Sequence, residues 1–396
     1  MTETEEGWEE ELGKLIEGLP AMVEKLSAVR EEILSTAVMI AEIPSPTFGE
    51  KERIRFALDR FRENGLEDAE VDEHGNATAL IAGAKRENAI LLMAHADTVF
   101  DLETRHVVQV GPNTISGPGI ADNSIGLATV ISLPRILETL DLQLKDDLLL
   151  LTNVESLGRG NLNGSQSFLE TVRLPIRAGI CVEGASQGRL SHWGLGTMRG
   201  EIRIRIPSNY DWSRFGASGA IGHLSRIVNR IMQIPIPKEP KTKMALGSMR
   251  SGSTYNAVPL RGLLRFEITS EEDEVVNSLK TRVEEVVEEF SLETEVEAIL
   301  EVIAQRPNSG IPFAHPMVKT TRRIMDALGI SPKVDPTTGD LNSLIQAGHP
   351  GVTLGLTTAE NLGDETETIH LPPLFAGIAQ LIALLQAIDN GLCVEK

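Results

Sequence analysis

Apolar positions near the start of the chain recur every three or four residues, which is the period of an α-helix. The pattern over residues 8–42 predicts two helices, and Pro20 lies where the second one begins. An amphipathic helix is predicted over residues 50–64. Short apolar runs predict strands near residues 69–72, 77–82, 89–94, 148–154 and 178–182, and residues 119–140 read as a glycine-rich loop followed by a helix. Strands that alternate with helices predict an α/β sheet, with functional groups gathered at the strand ends.

The pattern changes at about residue 197, where residues 201–206 alternate strictly between apolar and polar. The elements then predicted are a helix at 217–234, strands at 243–249 and 258–268, a helix at 271–290 and a strand at 293–303. This β-α-β-β-α-β order is that of a ferredoxin-like domain with one face of its sheet covered. The α/β pattern returns after about residue 310. A domain of residues 197–308 is therefore predicted to be inserted into a larger one formed by residues 1–196 and 309–396.

The composition of the chain excludes some classes of molecule as binding partners. The chain has 37 Lys+Arg against 57 Asp+Glu, a formal net charge of −20, which argues against nucleic acid or an anionic membrane as a partner. No run of apolar residues is long enough to predict a membrane span. Cys181 and Cys393 make no disulfide framework, and the first residues are acidic rather than leader-like. A cytoplasmic location is expected.

Residues with metal-binding or acid–base chemistry follow several of the apolar runs. The first is His95 at the end of the 89–94 run, with Asp97 placed to accept a hydrogen bond from the other ring nitrogen of His95. Similar positions in loops or at the ends of later runs are those of Asp122, Glu155, Glu183 and His370. Imidazole and carboxylate groups together form the ligand set of zinc and related metals. The sequence therefore predicts a metal centre at the strand ends.

Seven segments carry a resemblance to a known family. In chain order they are AHADTVF, GPGIADNSIG, TNVESLGRGNLNG, CVEGASQGR, GSTYNAVP, TTGDLN and TETIHLPP. In this order the chain resembles, over about residues 40–390, the co-catalytic zinc metallopeptidases of the aminoacylase, carboxypeptidase G, tripeptidase T and succinyl-diaminopimelate desuccinylase group. The resemblance implies an α/β sandwich domain that binds metal, an inserted lid domain that forms a homodimer, and hydrolysis of an amide bond in a small peptide or N-acyl amino acid.

The resemblance also implies roles for individual residues. His95, Asp122 and Glu183 would hold one metal, and Asp122 would bridge to a second metal that His370 binds. Asp97 would orient His95, Glu155 would be the general base, and Asn256 would correspond to a substrate-binding asparagine of the lid. The peptide bond between Asp122 and Asn123 would be cis. The metal would be zinc, one or two ions per chain, with cobalt or manganese as substitutes.

Three positions depart from the family pattern. Ser156 stands where the family has a glutamate ligand of the second metal, so that metal should bind weakly or be absent; if the loop register is shifted, Glu155 is a ligand instead of the base. Tyr210 replaces a lid histidine that stabilises the developing oxyanion. Thr269 replaces an arginine that grips a substrate carboxylate in many members. These departures leave an alternative open, namely a non-catalytic relative that binds a ligand or at most one metal.

Overall fold

A computed structural model describes residues 3–66, 68–207, 219–294 and 296–394. The chain divides into two compact units. The first combines Met1–Trp193 with Gly310–Lys396, and the second is Gly194–Ser309. The predicted α/β fold is confirmed. Tyr210 lies outside the described residues.

Helices alternate with strands along much of the chain. The described α-helices are α1 (Glu3–Glu17), α2 (Leu19–Leu26), α3 (Arg30–Ala41), α4 (Lys51–Glu63), α5 (Ile125–Ile131), α6 (Leu133–Leu140), α7 (Asn163–Thr171), α8 (Gly219–Ile231), α9 (Asp273–Thr294), α10 (Pro316–Ala327), α11 (Leu341–Gln346) and α12 (Leu374–Asp389). The described strands are β1 (Glu70–Val71), β2 (Ala77–Ile81), β3 (Ala89–His95), β4 (Gln109–Val110), β5 (Thr114–Ser116), β6 (Asp147–Asn153), β7 (Ile176–Ala185), β8 (Arg189–Ser191), β9 (Trp193–Gly194), β10 (Gly196–Arg205), β11 (Thr242–Ser251), β12 (Arg261–Ser270), β13 (Glu297–Arg306), β14 (Ser309–Gly310), β15 (Lys333–Val334), β16 (Gly351–Thr357), β17 (Ala359–Glu360) and β18 (Thr368–His370).

An eight-stranded sheet with the order β1-β2-β6-β3-β7-β16-β8-β15 forms the centre of the first unit. Its middle strands β6, β3, β7 and β16 are parallel to their neighbours in this set. Every residue of β3 is buried, because alternate side chains pack into different cores: Ile90 and Leu92 into the larger core, and Leu91 and Met93 into the core lined by α7 and α11. Burial on both faces explains why β3 reads as a continuous apolar run rather than an alternating one.

The sequence located the long elements better than the short ones. The helical pattern over residues 8–42 is α1, α2 and α3, with Pro20 in the first turn of α2 and a 3₁₀ turn at Ser27–Val29 that the periodicity did not predict. The short elements α7, α11, β4, β5 and β17 were also missed. Among the described helices, none is both long and apolar enough to cross a membrane.

The second unit contains a four-stranded sheet with the order β11-β12-β10-β13. Its described pairings are antiparallel, and α8 and α9 pack against it. The apolar side chains that fill this separate core come from alternate positions of the strands, such as Ile202 and Ile204 of β10, and from one face of each helix. This second core explains the change of pattern near residue 197, because an independent core requires its own amphipathic elements.

Substitution of Gly377 would test how closely α12 packs on the central sheet. A Cβ at this position would lie 1.8 Å from the carbonyl oxygen of Leu356 in β16, so a side chain would force the helix away from the strand. We expect Gly377→Ala to lower the free energy of unfolding by about 1–3 kcal/mol or more, as overpacking does. Gly13→Ala is the control, because open space surrounds that position in α1. Chemical denaturation of both variants checks this, and equal losses would contradict the packing.

Candidate metal centre

Three side chains from distant parts of the sequence converge at one end of the large sheet. The Nε2 atom of His95 lies 3.1 Å from Oδ1 of Asp122 and 3.8 Å from Oε2 of Glu183. One donor atom from each of the three residues lies within 4.8 Å of the other two. His95 is buried, whereas the two carboxylates are partly exposed. The cluster therefore offers one imidazole and two carboxylates to a single cation at a place that solvent reaches.

Strand register brings His95 and Glu183 together. β3 ends at His95 and runs parallel to β7, in which Cys181 is the partner of Met93. Two residues further along each strand, His95 and Glu183 occupy neighbouring positions at the carboxyl ends of the strands. Because residues two apart on a strand point to the same face, both side chains extend from one face of the sheet.

Asp122 reaches the cluster from a tight turn before α5. Asn123 anchors that turn to β7: its Nδ2 donates a hydrogen bond to the carbonyl of Val182 at 2.8 Å, and its Oδ1 accepts one from the amide of Gly184 at 2.7 Å. The turn approaches β7 so closely that a Cβ on Gly184 would lie 2.3 Å from the carbonyl oxygen of Ala121. The peptide bond between Asp122 and Asn123 is cis, which confirms that expectation.

Two buried charged side chains hold the turn and the end of β3. Oε2 of Glu367 accepts hydrogen bonds from two successive backbone amides of the turn, including that of Asp122 at 3.3 Å. Arg53 donates from Nε to the carbonyl of Ile43 at 2.9 Å and from Nη1 to the carbonyl of Ala96 at 3.1 Å. Burial raises the pKa of Glu367 and lowers the pKa of Arg53 to about 10. Glu367 thus holds the turn that carries Asp122, and Arg53 holds the backbone that follows β3.

Asp97 is fully buried and joins His95 to two loops. Its Oδ2 accepts hydrogen bonds at 2.8 Å from the hydroxyl of Thr47 and from the amide of Leu157, and its Oδ1 accepts one at 3.3 Å from the amide of Ser156. Nδ1 of His95 lies 2.9 Å from the backbone oxygen of Asp97 and 3.4 Å from its Oδ1. With Nδ1 held on this side, Nε2 of His95 faces the carboxylates of the cluster.

The carboxylates control the charge of the imidazole. Burial alone lowers the pKa of His95, but its hydrogen bonds to Asp122, Asp97 and Glu183 outweigh that effect, so the pKa lies well above the usual value. Burial raises the pKa values of Asp97 and Asp122, yet the contacts with His95 bring both below their usual values. The acids of the cluster therefore favour a positive charge at this place.

Glu155 follows β6 in the left-handed backbone region, with a φ of 55°. Its Oε2 accepts a hydrogen bond from Nδ2 of Asn163 at 3.1 Å and lies 3.4 Å from Nε2 of His74. Its backbone amide donates to Oε1 of Glu50 at 2.9 Å. Among the described residues, the group of converging donor atoms does not include Glu155. Its carboxylate instead lies beside His74 and Asn163, with 20% of the side chain exposed.

Ser156 points into a buried polar network. Its hydroxyl donates to Oδ2 of Asp340 at 3.1 Å and accepts a hydrogen bond from Nδ2 of Asn153 at 2.6 Å. The hydroxyl of Ser165 donates to Oδ1 of the same Asp340 at 2.7 Å. Burial raises the pKa of Asp340. The position at which the resemblance implied a glutamate ligand is thus occupied by a small hydroxyl that is hydrogen-bonded to an interior acid.

The remaining predicted site residues lie elsewhere. His370 belongs to β18, and its Nε2 lies 3.1 Å from Oε1 of Glu360; within the described part of the chain, the three-residue donor group does not include it. In the second unit, Asn256 is exposed in the connection between β11 and β12, and Thr269 is buried in β12. The roles of these residues, and that of Tyr210, stay predictions.

Sequence reasoning missed three residues that support the site. Glu367 and Asp340 lie in the segments TETIHLPP and TTGDLN, but several acids and turn-forming residues surround them, so neither was distinguished. Arg53 offered a clearer signal, because it lies beside Ile54 on the buried face of the amphipathic α4. A charged residue on such a face is rarely buried unless its donors are satisfied.

Comparison with known proteins shows what this chain is similar to. Residues 76–191, which include His95, Asp122 and Glu183, match the sequence profile of Peptidase family M28. Among curated protein sequences, no significant match was found.

Solved structures similar to this one include several peptidases. The di-peptidase Dug1p from Saccharomyces cerevisiae has a TM-score of 0.76 at 12% identity, over 94% of this chain and 98% of its own. A tripeptidase from Staphylococcus aureus has a TM-score of 0.71 at 18% identity, over 91% and 98%. A dinuclear metal-binding peptidase of the M20 family from Bacillus subtilis has a TM-score of 0.62 at 14% identity, over 92% and 99%. The predicted resemblance to these metallopeptidases is therefore confirmed at the level of the fold.

Proposed function

We propose that this protein is a metal-dependent hydrolase that cleaves an amide bond in small peptides or N-acyl amino acids. The observation that carries the proposal is the convergence of His95, Asp122 and Glu183 on one point, with donor atoms within 4.8 Å of one another. The peptidases that share this fold, and the match of residues 76–191 to a peptidase family, support it.

The donor set fits a divalent cation. Imidazole and carboxylate are both ligand types of zinc, and a catalytic zinc commonly has three protein ligands and keeps a further position open. The raised pKa of His95 supports this fit, because the acids around it favour a positive charge that a metal would provide in place of the proton. A bound zinc, cobalt or manganese ion would lower the pKa of a water and polarise the substrate carbonyl. His95, Asp122 and Glu183 would hold it.

Other residues of the chain would orient the metal ligand His95 and transfer protons during the reaction. Asp97 would keep Nδ1 of His95 engaged, so that Nε2 stays directed at the cation. Glu155 would act as general base, accepting a proton from the attacking water and returning it to the departing amine. His74 and Asn163, which contact its carboxylate, would hold it when no substrate is bound.

The finer points of the proposal concern the second metal and the assembly. His370 and a bridging Asp122 would provide two ligands for a second ion. Ser156 is directed at Asp340, so this ion would lack the carboxylate that the resemblance implies and would bind weakly. The second unit would act as the lid that pairs two chains in a cytoplasmic homodimer, and Asn256 and Tyr210 would have the substrate-binding roles that the resemblance implies.

Metal dependence is the first test of the proposed activity. Dipeptides, tripeptides and N-acyl amino acids are incubated with the purified protein, and release of free amine is measured with metal content. We expect turnover that a chelator abolishes and zinc, cobalt or manganese restores, and His95→Ala should lose both metal and turnover. His349→Ala, outside the cluster, is the control. Folded, metal-loaded protein without turnover on this panel would support the non-catalytic alternative instead.

Substitution of Glu155 separates its two possible roles. As a general base, Glu155→Gln should keep the metal content of the wild type and lower kcat by about 10²- to 10⁴-fold, because only proton transfer is lost. If Glu155 is a ligand, the same variant should bind metal more weakly. Metal titration beside steady-state kinetics distinguishes these results, and an unchanged kcat would exclude both roles.

Pairing through the second unit can be measured in solution. Strand β11 is an edge strand of its sheet, and Met249 on it is 52% exposed, which leaves both backbone groups and an apolar side chain available for a second chain. We expect a mass near twice 43.0 kDa by light scattering. Met249→Glu should reduce it to that of one chain, whereas Leu292→Glu, on the exposed end of α9, should not. A wild-type monomer would contradict the proposed dimer.

A further inference from the structure

His74 lies beside the carboxylate that would act as general base. Its Nε2 atom is 3.4 Å from Oε2 of Glu155, and both side chains are mostly buried, with 29% of His74 and 20% of Glu155 exposed. Nδ2 of Asn163 donates a hydrogen bond to the same carboxylate oxygen at 3.1 Å. The protein therefore directs two nitrogen atoms at one oxygen of Glu155.

The turn that carries His74 is formed without its imidazole. Oδ1 of Asp72 accepts hydrogen bonds at 2.9 Å from three successive backbone amides, those of His74, Gly75 and Asn76. An aspartate that binds the amides of the residues after it stabilises a turn by itself. The imidazole of His74 takes no part in these bonds, so the backbone of the turn does not explain why this position carries a histidine.

Asn76 fixes this turn to the segment that carries Glu155. Asn76 is fully buried, its Oδ1 accepts a hydrogen bond from the amide of Val154 at 3.0 Å, and its Nδ2 donates one to the carbonyl of Gly164 at 3.0 Å. A Cβ on Gly164 would lie 2.2 Å from the carbonyl oxygen of Val154, so the start of α7 packs directly on this segment. The approach of His74 to Glu155 is therefore set by two chain segments that are bound to each other.

The ring nitrogen that faces Glu155 is buried. Within the described ranges of the chain, Nε2 of His74 has no hydrogen-bond partner. Its distance of 3.4 Å from Oε2 of Glu155 is slightly longer than that of a normal N–H···O hydrogen bond. Because a buried donor without a partner costs free energy, a small rotation that closes this gap is favourable. The carboxylate of Glu155 is the acceptor that the local structure offers to this nitrogen.

The backbone of Glu155 is fixed, but its side chain needs contacts of its own. Oε1 of Glu50 accepts a hydrogen bond from the amide of Glu155 at 2.9 Å, and a Cβ on Gly160 would lie 2.5 Å from the carbonyl oxygen of Glu155. A glutamate side chain still has several rotatable bonds, and holding it in one rotamer costs conformational entropy. Because a displacement of about 1 Å can cost a catalytic group about 100-fold in rate, a base at this position depends on the partners of its carboxylate.

We propose that His74 is a positioning residue for Glu155 during turnover: Nε2 of His74 donates a hydrogen bond to Oε2, so that Oε1 stays directed at the attacking water. The inference rests on the proposed role of Glu155 as general base, and it extends the contact with His74 from the resting protein into the reaction. The proton passes from the water to Glu155 and on to the departing amine, and His74 keeps its own proton throughout.

Steady-state kinetics of single variants test this role on the dipeptide and N-acyl amino acid panel. His74→Ala should lower kcat by about 10- to 100-fold and leave KM and metal content close to those of the wild type, because only the placement of the base is lost. His74→Gln should recover most of the lost kcat, because its amide can still donate to Oε2. His349→Ala, at a half-buried histidine before β16, should match the wild type. An unchanged kcat or a lower metal content in His74→Ala would overturn the proposal.

A double-mutant cycle separates positioning from a general effect on the structure. If His74 acts through the carboxylate of Glu155, adding His74→Ala to Glu155→Gln should change the residual kcat by less than about twofold, because no base is left to position. If the losses of the two single variants multiply instead, the residues act independently and the proposal fails.

The contact itself can be measured without turnover. In metal-loaded protein with isotope-labelled histidine, the imidazole NMR signals of His74 are assigned by their loss in His74→Gln. They should shift in Glu155→Gln, whereas the signals of His349 should not, and the absence of a shift would overturn the proposal. An active wild type with full activity in His74→Ala would reject the positioning role alone. A wild type without turnover would reject the hydrolase and, with it, the role of His74 in catalysis.

Discussion

The buried carboxylate of Asp97 is the interaction on which the candidate site depends. It lies at the end of β3 without solvent contact, so its charge must be satisfied by protein donors. Those donors come from Thr47, from the amides of Ser156 and Leu157, and from the imidazole of His95. One residue thus fixes the orientation of the proposed imidazole ligand and ties the loop that carries Glu155 to the same strand end.

Acidic and basic side chains lie close to Asp97, and their charges partly offset one another. Asp122 and Glu183 share a small volume with His95, and Glu367 and Asp340 are buried nearby with raised pKa values. So many acids in a partly buried place require positive charge. Arg53 provides part of it close to Asp97 and Glu367, and Arg189 provides part of it with Nη1 3.9 Å from Oε1 of Glu183. A bound divalent ion would provide more.

The departures from the family pattern have a structural context. Ser156 is part of a network with Asn153, Ser165 and Asp340, so a glutamate at this position would bring a second carboxylate against a buried one. The interior around Ser156 is therefore filled by this network, which supports the proposal of a weak second metal site. Thr269 is likewise a buried strand residue in a continuous sheet pairing, suited to packing rather than to gripping an anion.

Much of this fold could be predicted from the sequence, because the period of the apolar residues and the residue types at strand ends are local properties. The α/β fold was predicted from apolar runs such as 89–94 and from the change of pattern near residue 197. His95, Asp122 and Glu183 were identified because they are acids or imidazoles that follow apolar runs. Only the tertiary structure brings these three residues together. The parallel register of β3 and β7 places His95 beside Glu183, and the hydrogen bonds of Asn123 with β7 hold the turn that places Asp122 next to them. The partners of Glu155 and Ser156 could not be read from spacing. His74 and Asp340 are remote from them along the chain, and only packing determines which distant polar groups satisfy one another.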